Sequence, residues 1–329
     1  MLVRIPSCLL LLGLALLGLG CFGGSGIDRD IQLSIHKESA RSYYEAGDLD
    51  RAEDQALRGI ALKRKDESLR LLLGWINLRR GTTDSLYKAR GVFEEFARAE
   101  EPRADLGLGE TLERLGRVHE ETAVSIENGE RFAPGGDSKG SAEEMREQAD
   151  VLFREAIAAY QRVLDRQPDN LKSLNGMQRV HSLLDELDMA LDYSDQLIEV
   201  ASSERDALRT HLSDPGRILT DQREQGLRDV ARNTEGLLGE THLFAYTLNA
   251  ELGRPSEALV HLDMALELRP KQADIWSRRA QLQFELGNYE SAIDDVMQFV
   301  RLSDKPFDDP DIRRAWELKN EAEQALLRP

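Results

Sequence analysis

The sequence predicts an all-α fold: an α-α superhelix of about six antiparallel helix pairs, two of whose hairpins are lengthened. Three observations lead there. Leu, Ala, Arg, Glu and Asp dominate the 329 residues, while aromatic residues make up 6% and Pro occurs 10 times, a composition that favours helix over sheet. Apolar residues recur at helical spacing along most of the chain. In the C-terminal third, small and aromatic residues return with a period of 34.

The chain begins with a leader. Arg4 supplies a positive start, and the apolar stretch at 8–19 is shorter than the roughly 20 residues a spanning helix needs. Gly13, Gly18 and Gly20 weaken it further as a span, so a secretory signal peptide over 1–20 fits better. The tetrapeptide GLGC at 18–21 resembles the bacterial lipobox at Leu19, Gly20 and Cys21, and departs from it at Gly18, where Leu is expected. The resemblance implies acylation of Cys21 and anchorage in the bacterial cell envelope. Phe22 stands where the inner-membrane retention signal has Asp, which implies the outer membrane, facing the periplasm. Gly18 and Gly20 also satisfy ordinary signal cleavage, so secretion without a lipid stays open, as does a retained N-terminus in the cytosol. FGGSG at 22–26 makes residues 21–32 a flexible tether after the lipidated cysteine. The other cysteine, Cys8, leaves with the signal peptide, so no internal disulfide is expected and packing alone must hold the fold.

The helix pairs follow. Residues 33–66 place Ala40, Tyr43, Gly47, Asp48 and Ala52 in the repeating pattern. Residues 67–101 supply Leu73 and Gly74, then Ala89, Phe93 and Phe96, displaced by an insertion near Gly81. The third copy opens with Leu108, Gly109, Leu112 and Gly116 and resumes with Ala156, Tyr160, Val163 and Pro168. A weaker fourth runs from Asp169 through Gly176, Ala190 and Leu197. The last two are the clearest: Gly253, Ala258, Leu262 and Ala265 are in register with Gly287, Ala292, Val296 and Phe299, and Trp276 and Ala280 precede them in the final copy. Pro255 falls where a second helix should begin, the position at which a missing N–H costs no bond.

This pattern resembles the tetratricopeptide repeat (TPR), a two-helix unit whose small residues lie where its helices cross. The resemblance implies a TPR solenoid over 33–306, with Ala40, Ala52, Gly74, Ala89, Gly109, Ala156, Gly176, Ala258, Ala280 and Ala292 in the repeat core. Residues 307–329 read as the polar-faced capping helix that such arrays need.

Two lengthened hairpins interrupt the period, at about 105–166 and 188–252. In the first, Leu108, Leu112, Leu115, Val118, Thr122 and Ile126 continue one face; Ser141 with Glu144 suggests a capping box where the chain returns after a loop at 129–140. In the second, Leu197, Ala201, Leu208 and Leu212 run out to a turn at 213–216, and Leu227, Val230, Leu237, Thr241, Ala245 and Leu248 run back. The first loop lies inside a unit and the second joins two units, so a projection on each edge of the array is expected.

The residues carry no catalytic signature. His36, His119, His181, His211, His242 and His261 include no pair three or four apart on one helix, so neither a helical zinc site nor any other metal is expected. GERFAPGGDSKG at 129–140 lacks the order of a phosphate loop and has no strand before it. No cofactor is expected, and no enzymatic activity. The net charge of -17 repels phosphate backbones and argues against nucleic acid.

The function these features imply is that of a membrane-anchored scaffold or assembly factor, binding envelope proteins or peptides. An envelope hydrolase with a site between the long hairpins, a secreted unlipidated repeat protein and a purely structural spacer stay open. Lys37, Arg41, Tyr44, Leu71, Trp75, Phe244, Thr247, Arg278 and Gln281 are expected to face the binding groove. Some members of the family hold a partner's terminal carboxylate with Lys and Asn on successive first helices. Lys37 and Arg41 in the first unit, and Ser277 and Gln281 in the last, do not supply that pair.

Overall fold

The computed structural model describes residues 26–98, 101–132, 137–214 and 220–328, and within them there are thirteen helices and no strand. The signal peptide and Cys21 lie outside the described residues. The chain divides into two compact units, Met1–Ile76 and Asn77–Pro329.

In the first unit, α1 (Gly26–Ala46) and α2 (Leu49–Leu62) pack antiparallel, followed by the start of α3 (Glu67–Arg80). Helix α1 begins at Gly26, so the later part of the expected tether is already helical; IDRDIQ at 27–32 contains no glycine or proline to stop the helix. Gly47 adopts φ 82 at the turn, and Asp48 caps α2 by accepting from the Arg51 backbone N–H at 3.1 Å. Leu33, Ala40, Ala52, Ala56, Leu69 and Ile76 form the core, flanked by Tyr43, Tyr44 and Leu49. Asp66, 3% exposed, caps α3 through the Leu69 N–H (3.3 Å) and holds the Lys37 ammonium at 2.7 Å.

In the second unit, each helix packs against the next: α4 (Thr83–Ala97), α5 (Pro102–Glu127), α6 (Ser138–Leu164), α7 (Leu171–Leu183), α8 (Leu187–Ser213), α9 (Asp221–Glu251), α10 (Pro255–Leu268), α11 (Ala273–Glu285), α12 (Tyr289–Leu302) and α13 (Pro310–Leu326). Within it α5–α6, α7–α8, α9–α10 and α11–α12 follow one another as helix pairs, and α13 packs on α12. Alternate helices also touch, α5 with α7 and α11 with α13. Gly253 (φ 68) and Gly287 (φ 78) make the α9–α10 and α11–α12 turns. At the α7–α8 turn Asp185 takes the same left-handed conformation, φ 59, which a short polar side chain tolerates better than most.

The small residues expected at the crossings are all buried, from Ala40 and Ala52 to Ala280 and Ala292, with Gly74, Gly109 and Gly176 among them. Tyr160, fully buried, shows why. A Cβ on Gly109 of α5 would stand 2.7 Å from its Cε1, and one on Gly176 of α7 would stand 2.4 Å from its Cζ. The ring fills the space that two absent side chains leave between α5, α6 and α7. Ala292, 0% exposed, allows the same close approach between α11 and α12, so Ala292→Leu should destabilise the protein by about 1–3 kcal/mol. Exposed Glu290→Ala, two residues away, should change stability far less. Equal shifts of the urea midpoint would put the repeat register out of phase.

Both long hairpins exist, α5–α6 and α8–α9, but two details differ from the sequence reading. Helix α6 starts at Ser138, capped by Asp137, whose Oδ1 accepts from the Gly140 N–H at 3.0 Å; the Ser141–Glu144 capping box is therefore one turn inside the helix. Carboxylates cap as well as hydroxyls, and Asp137 comes first along the chain. In α9, Val230 is 43% exposed and the buried stripe runs through Ala231, Thr234, Leu238, Thr241 and Ala245; the small Ala231 fits against the neighbouring helix where branched Val230 would crowd it. The hairpins also differ in packing. In the first, an apolar cluster of Ala123, Ile126 and Ala142 beside Met145 joins the outer parts of the two arms. In the second, no described residue between Ala201 and Ala231 is buried, and the arms are joined by Arg209 donating to Glu235 at 2.7 Å.

Candidate functional site

Helices α5, α7 and α9 are the first helices of consecutive pairs, and two adjoining cavities lie along them. One, of ≈ 490 Å³, is lined by Glu110, Glu113, Arg114, Arg117, Lys172, Asn175 and Arg179. Its neighbour, of ≈ 340 Å³, shares Arg117, Asn175 and Arg179 and continues to Leu237, Thr241 and Phe244. Spacing of three and four residues on α5 (Glu110, Glu113, Arg114, Arg117) and on α7 (Lys172, Asn175, Arg179) turns these side chains to one side of each helix. Four basic residues meet two acidic ones here, on a chain whose net charge is -17.

Of the two acidic residues, Glu113 is spent internally. Glu113 is 5% exposed and accepts Arg179 Nε on one oxygen (2.8 Å) and Arg179 Nη2 on the other (2.7 Å). Tyr160 Oη donates to the same carboxylate at 3.0 Å, and Arg117 Nη2 approaches at 3.3 Å. Burial by itself would raise the Glu113 carboxyl, but the hydrogen bonds and charge of Arg179, with the bond from Tyr160, outweigh it and hold the group below its ordinary value. Burial first, and the Glu113 charge second, push the Tyr160 phenol well up. Burial also raises Glu110, against the attraction of Lys172 and Arg114. Arg114 donates Nη1 to the Leu78 carbonyl at 2.9 Å and keeps its other donors for the cavity; Lys172 is exposed.

The chemistry this arrangement offers is recognition. Arg114, Arg117, Lys172 and the Asn175 amide present donors to anionic groups, while Phe244 and Leu237 present an apolar wall beside them. Arg117 is half-engaged by Glu113 and half-open to the cavity, which fixes its direction without consuming its donors.

Of the residues expected in the groove, Phe244 lines the smaller cavity. Arg278 and Gln281 line a third one, of ≈ 810 Å³, among α11, α12 and α13, with Lys271, Asp274 and Arg314. Thr247 is exposed on α9 and donates to the Leu243 carbonyl at 3.1 Å. The remaining five belong to Met1–Ile76 and are described within it. Lys37 is engaged by buried Asp66; Arg41 is exposed; Tyr44 and Trp75 are half-buried. Leu71 is 5% exposed, which contradicts its placement in a groove: α3 buries Leu69, Leu71, Gly74 and Ile76 on more than one face, so its apolar run serves packing.

Arg114, Arg117, Lys172, Asn175 and Arg179 are additions that the sequence pattern does not mark. The Lys–Asn pair is absent from the first and last units, whereas α7, in the middle of the array, carries Lys172 and Asn175 one turn apart on the same cavity. Among the described residues no cluster of His, Cys, Asp or Glu could hold a metal ion, and no helix is long and apolar enough to cross a membrane.

Residues 248–302, which hold α10–α12 and the end of α9, match the family model of the tetratricopeptide repeat. A TPR repeat-containing protein of Rhizobium etli is 37% identical over 54 residues, 16% of this chain and 26% of that protein, so the match spans about a quarter of its relative. Among solved structures, a thermophilic TPR protein of Thermus thermophilus is 18% identical with a TM-score of 0.43, over 78% of this chain and 99% of its own. A tetratricopeptide repeat protein from Parabacteroides merdae is 14% identical with a TM-score of 0.38, over 88% and 99%. At these scores the fold rests on the helix pairing and the repeat match.

Proposed function

Because the chain carries tetratricopeptide repeats, we propose that it is a protein-binding scaffold whose partners dock in the groove of α5, α7 and α9 through an acidic segment with an apolar residue beside it. One observation carries this reading: on an otherwise strongly acidic chain, the groove on the first helices sets Arg114, Arg117, Lys172 and Arg179 against Glu110, Glu113 and Glu240, with an apolar wall beside them. Carboxylates of the partner meet Arg114, Arg117 and Lys172, and its apolar side chain lies on Phe244. Binding is the whole activity in this reading; no bond is made or broken.

The place of action is the bacterial envelope, with Cys21 as the lipid anchor and envelope proteins or peptides as partners. This part rests on the sequence, on the Leu19-Gly20-Cys21 stretch and the charged start of the leader. Each buried methylene of an acyl chain adds about 0.8 kcal/mol, so several chains hold the protein to the membrane.

A photo-crosslinking residue at Lys172 or Phe244 of the full chain tests both parts in cells. The reading expects discrete adducts from these positions, none from Glu290, and fatty-acid labelling that Cys21→Ser abolishes. Equal adducts from all three positions would remove the groove from the account, and an unlabelled wild type would replace the anchor with plain secretion.

A further inference from the structure

A third surface of the second unit, away from the residues of the groove, is built for the opposite charge. Helices α4, α5 and α6 enclose an open cavity of ≈ 500 Å³. Tyr87 on α4 is 49% exposed and Val151 on α6 is 57% exposed, and with buried Leu152 they form its apolar floor. Side chains of this size left open to solvent next to one another lose hydration cost when something covers them.

The rim decides what that is. Glu144 and Glu147, one turn apart from Val151 and Gln148 on α6, stand over the floor together with Glu155. Arg90 is the cation of this lining, and it is already neutralised: its Nε donates to Glu94 at 2.6 Å and its Nη2 to Glu155 at 3.1 Å. Glu144 accepts only from the Gln148 amide, at 3.3 Å, and Glu147 has no ion-pair partner among the described residues. Burial holds the His119 imidazole, also in the lining, below its ordinary value, so at neutral pH it adds no compensating charge. Two carboxylates are thus left without cations above an exposed aromatic ring and an exposed aliphatic side chain.

We propose that this cavity is a second docking site, which seats an arginine of a basic, partly apolar segment of a partner protein. The guanidinium bridges Glu144 and Glu147, its plane lies against the Tyr87 ring, and a neighbouring apolar residue of the segment covers Val151. The choice of arginine over lysine follows from the floor, since a planar, weakly hydrated cation stacks on a ring where an ammonium stays hydrated. The site is independent of the acidic-segment groove and stands or falls separately from it.

The test uses the full chain and a fluorescein-labelled peptide, acetyl-Leu-Arg-Ala-Leu-amide, with its citrulline counterpart as a probe of the same shape and no charge. Fluorescence polarisation should show the arginine peptide binding the wild type more tightly than the citrulline one, and E144Q/E147Q should weaken the arginine peptide about fivefold. Glu290→Gln removes one exposed charge on α12 and should leave the affinity unchanged. All of these positions are on the surface, and melting curves would verify that each variant folds. The proposal is overturned if the wild type fails to bind the arginine peptide, if it binds both peptides equally, if E144Q/E147Q binds like the wild type, or if Glu290→Gln weakens binding as much as the double variant does.

Discussion

Replacing Arg179 with Met is expected to lower stability by about 2–4 kcal/mol, measured as the urea unfolding free energy of the full chain. The loss comes from what the substitution leaves behind. Glu113 is 5% exposed and gives one oxygen to Arg179 Nε and the other to Nη2, so removing the guanidinium strands a carboxylate in the interior with the Tyr160 hydroxyl and a longer contact from Arg117. An unpaired buried charge typically costs about 3–5 kcal/mol, and the remaining partners together with the partial exposure of Arg179 (31%) reduce that figure. Arg179→Met with Glu113→Leu should recover a substantial part of the loss, because no charge is then left unpaired. A double variant as unstable as Arg179→Met would mean that Glu113 serves packing alone. The same pair directs function: with Arg179 tied to Glu113, the cations that remain to face a partner are Arg114, Arg117 and Lys172.

The second large effect belongs to pH. His242 on α9 is 6% exposed, and its Nδ1 lies 3.2 Å from Nδ1 of His261 on α10, the rings tilted by 43°. Burial, then the neighbouring His261 and Arg205, pushes His242 down to about 4. His261 is lowered by burial against the pull of Asp195. Two protons on these facing nitrogens cannot be accommodated, so the folded pair resists the charge that the unfolded chain accepts near pH 6.5. Stability from this pair is therefore complete above about pH 6.5 and declines as the pH falls from there to about 4, by on the order of 3 kcal/mol. His242→Gln should flatten the thermal midpoint across that window. The carboxylates held low by their partners, Asp66 and Glu113, act in a different one: their contribution is full above the ordinary carboxylate range and is lost on descending through it. Raised groups such as Glu110 and Glu120 oppose that trend and are common to both proteins, so the difference between wild type and His242→Gln isolates the histidines. Parallel curves for the two proteins between about pH 4 and 6.5 would exclude this coupling.

How far the sequence could be read follows from which interactions leave a periodic trace. Helix crossings do, because only a small residue fits them; Ala258 and Ala292 lie at the same place in successive pairs, and both are fully buried. Turns do when they use glycine, as at Gly253 and Gly287, and fail to when Asp185 takes the left-handed conformation in its stead. The cap of α6 lies one turn before the Ser141 that the sequence suggests, because Asp137 and Ser141 carry the same local signal and only the backbone decides between them. The α9 stripe is offset by a residue for a related reason: Leu237 and Val230 are more apolar than Ala231 and Thr234, yet the closely packed face takes the smaller pair. Charged groove residues leave no period at all. Arg114 and Lys172 look like solvated surface in the sequence, and become neighbours only when α5 and α7, separated by the whole of α6, come side by side. Lys37 has the opposite fate, a cation that looks available in the sequence and is met by buried Asp66 in the fold.

The central claim is that the cationic groove on α5, α7 and α9 receives the protein partner. The most direct measurement is the affinity of the full chain for the partner segment captured from Lys172, by calorimetric titration of that synthetic peptide into wild type and into Arg114→Ser/Lys172→Ser. Both side chains line the cavity without holding Glu113, and the variant gives up only the Arg114 bond to the Leu78 carbonyl, so its melting temperature should fall slightly and it should stay folded. The account predicts binding at least about tenfold weaker, with a shallower dependence on salt. An affinity and salt dependence equal to those of the wild type would contradict it.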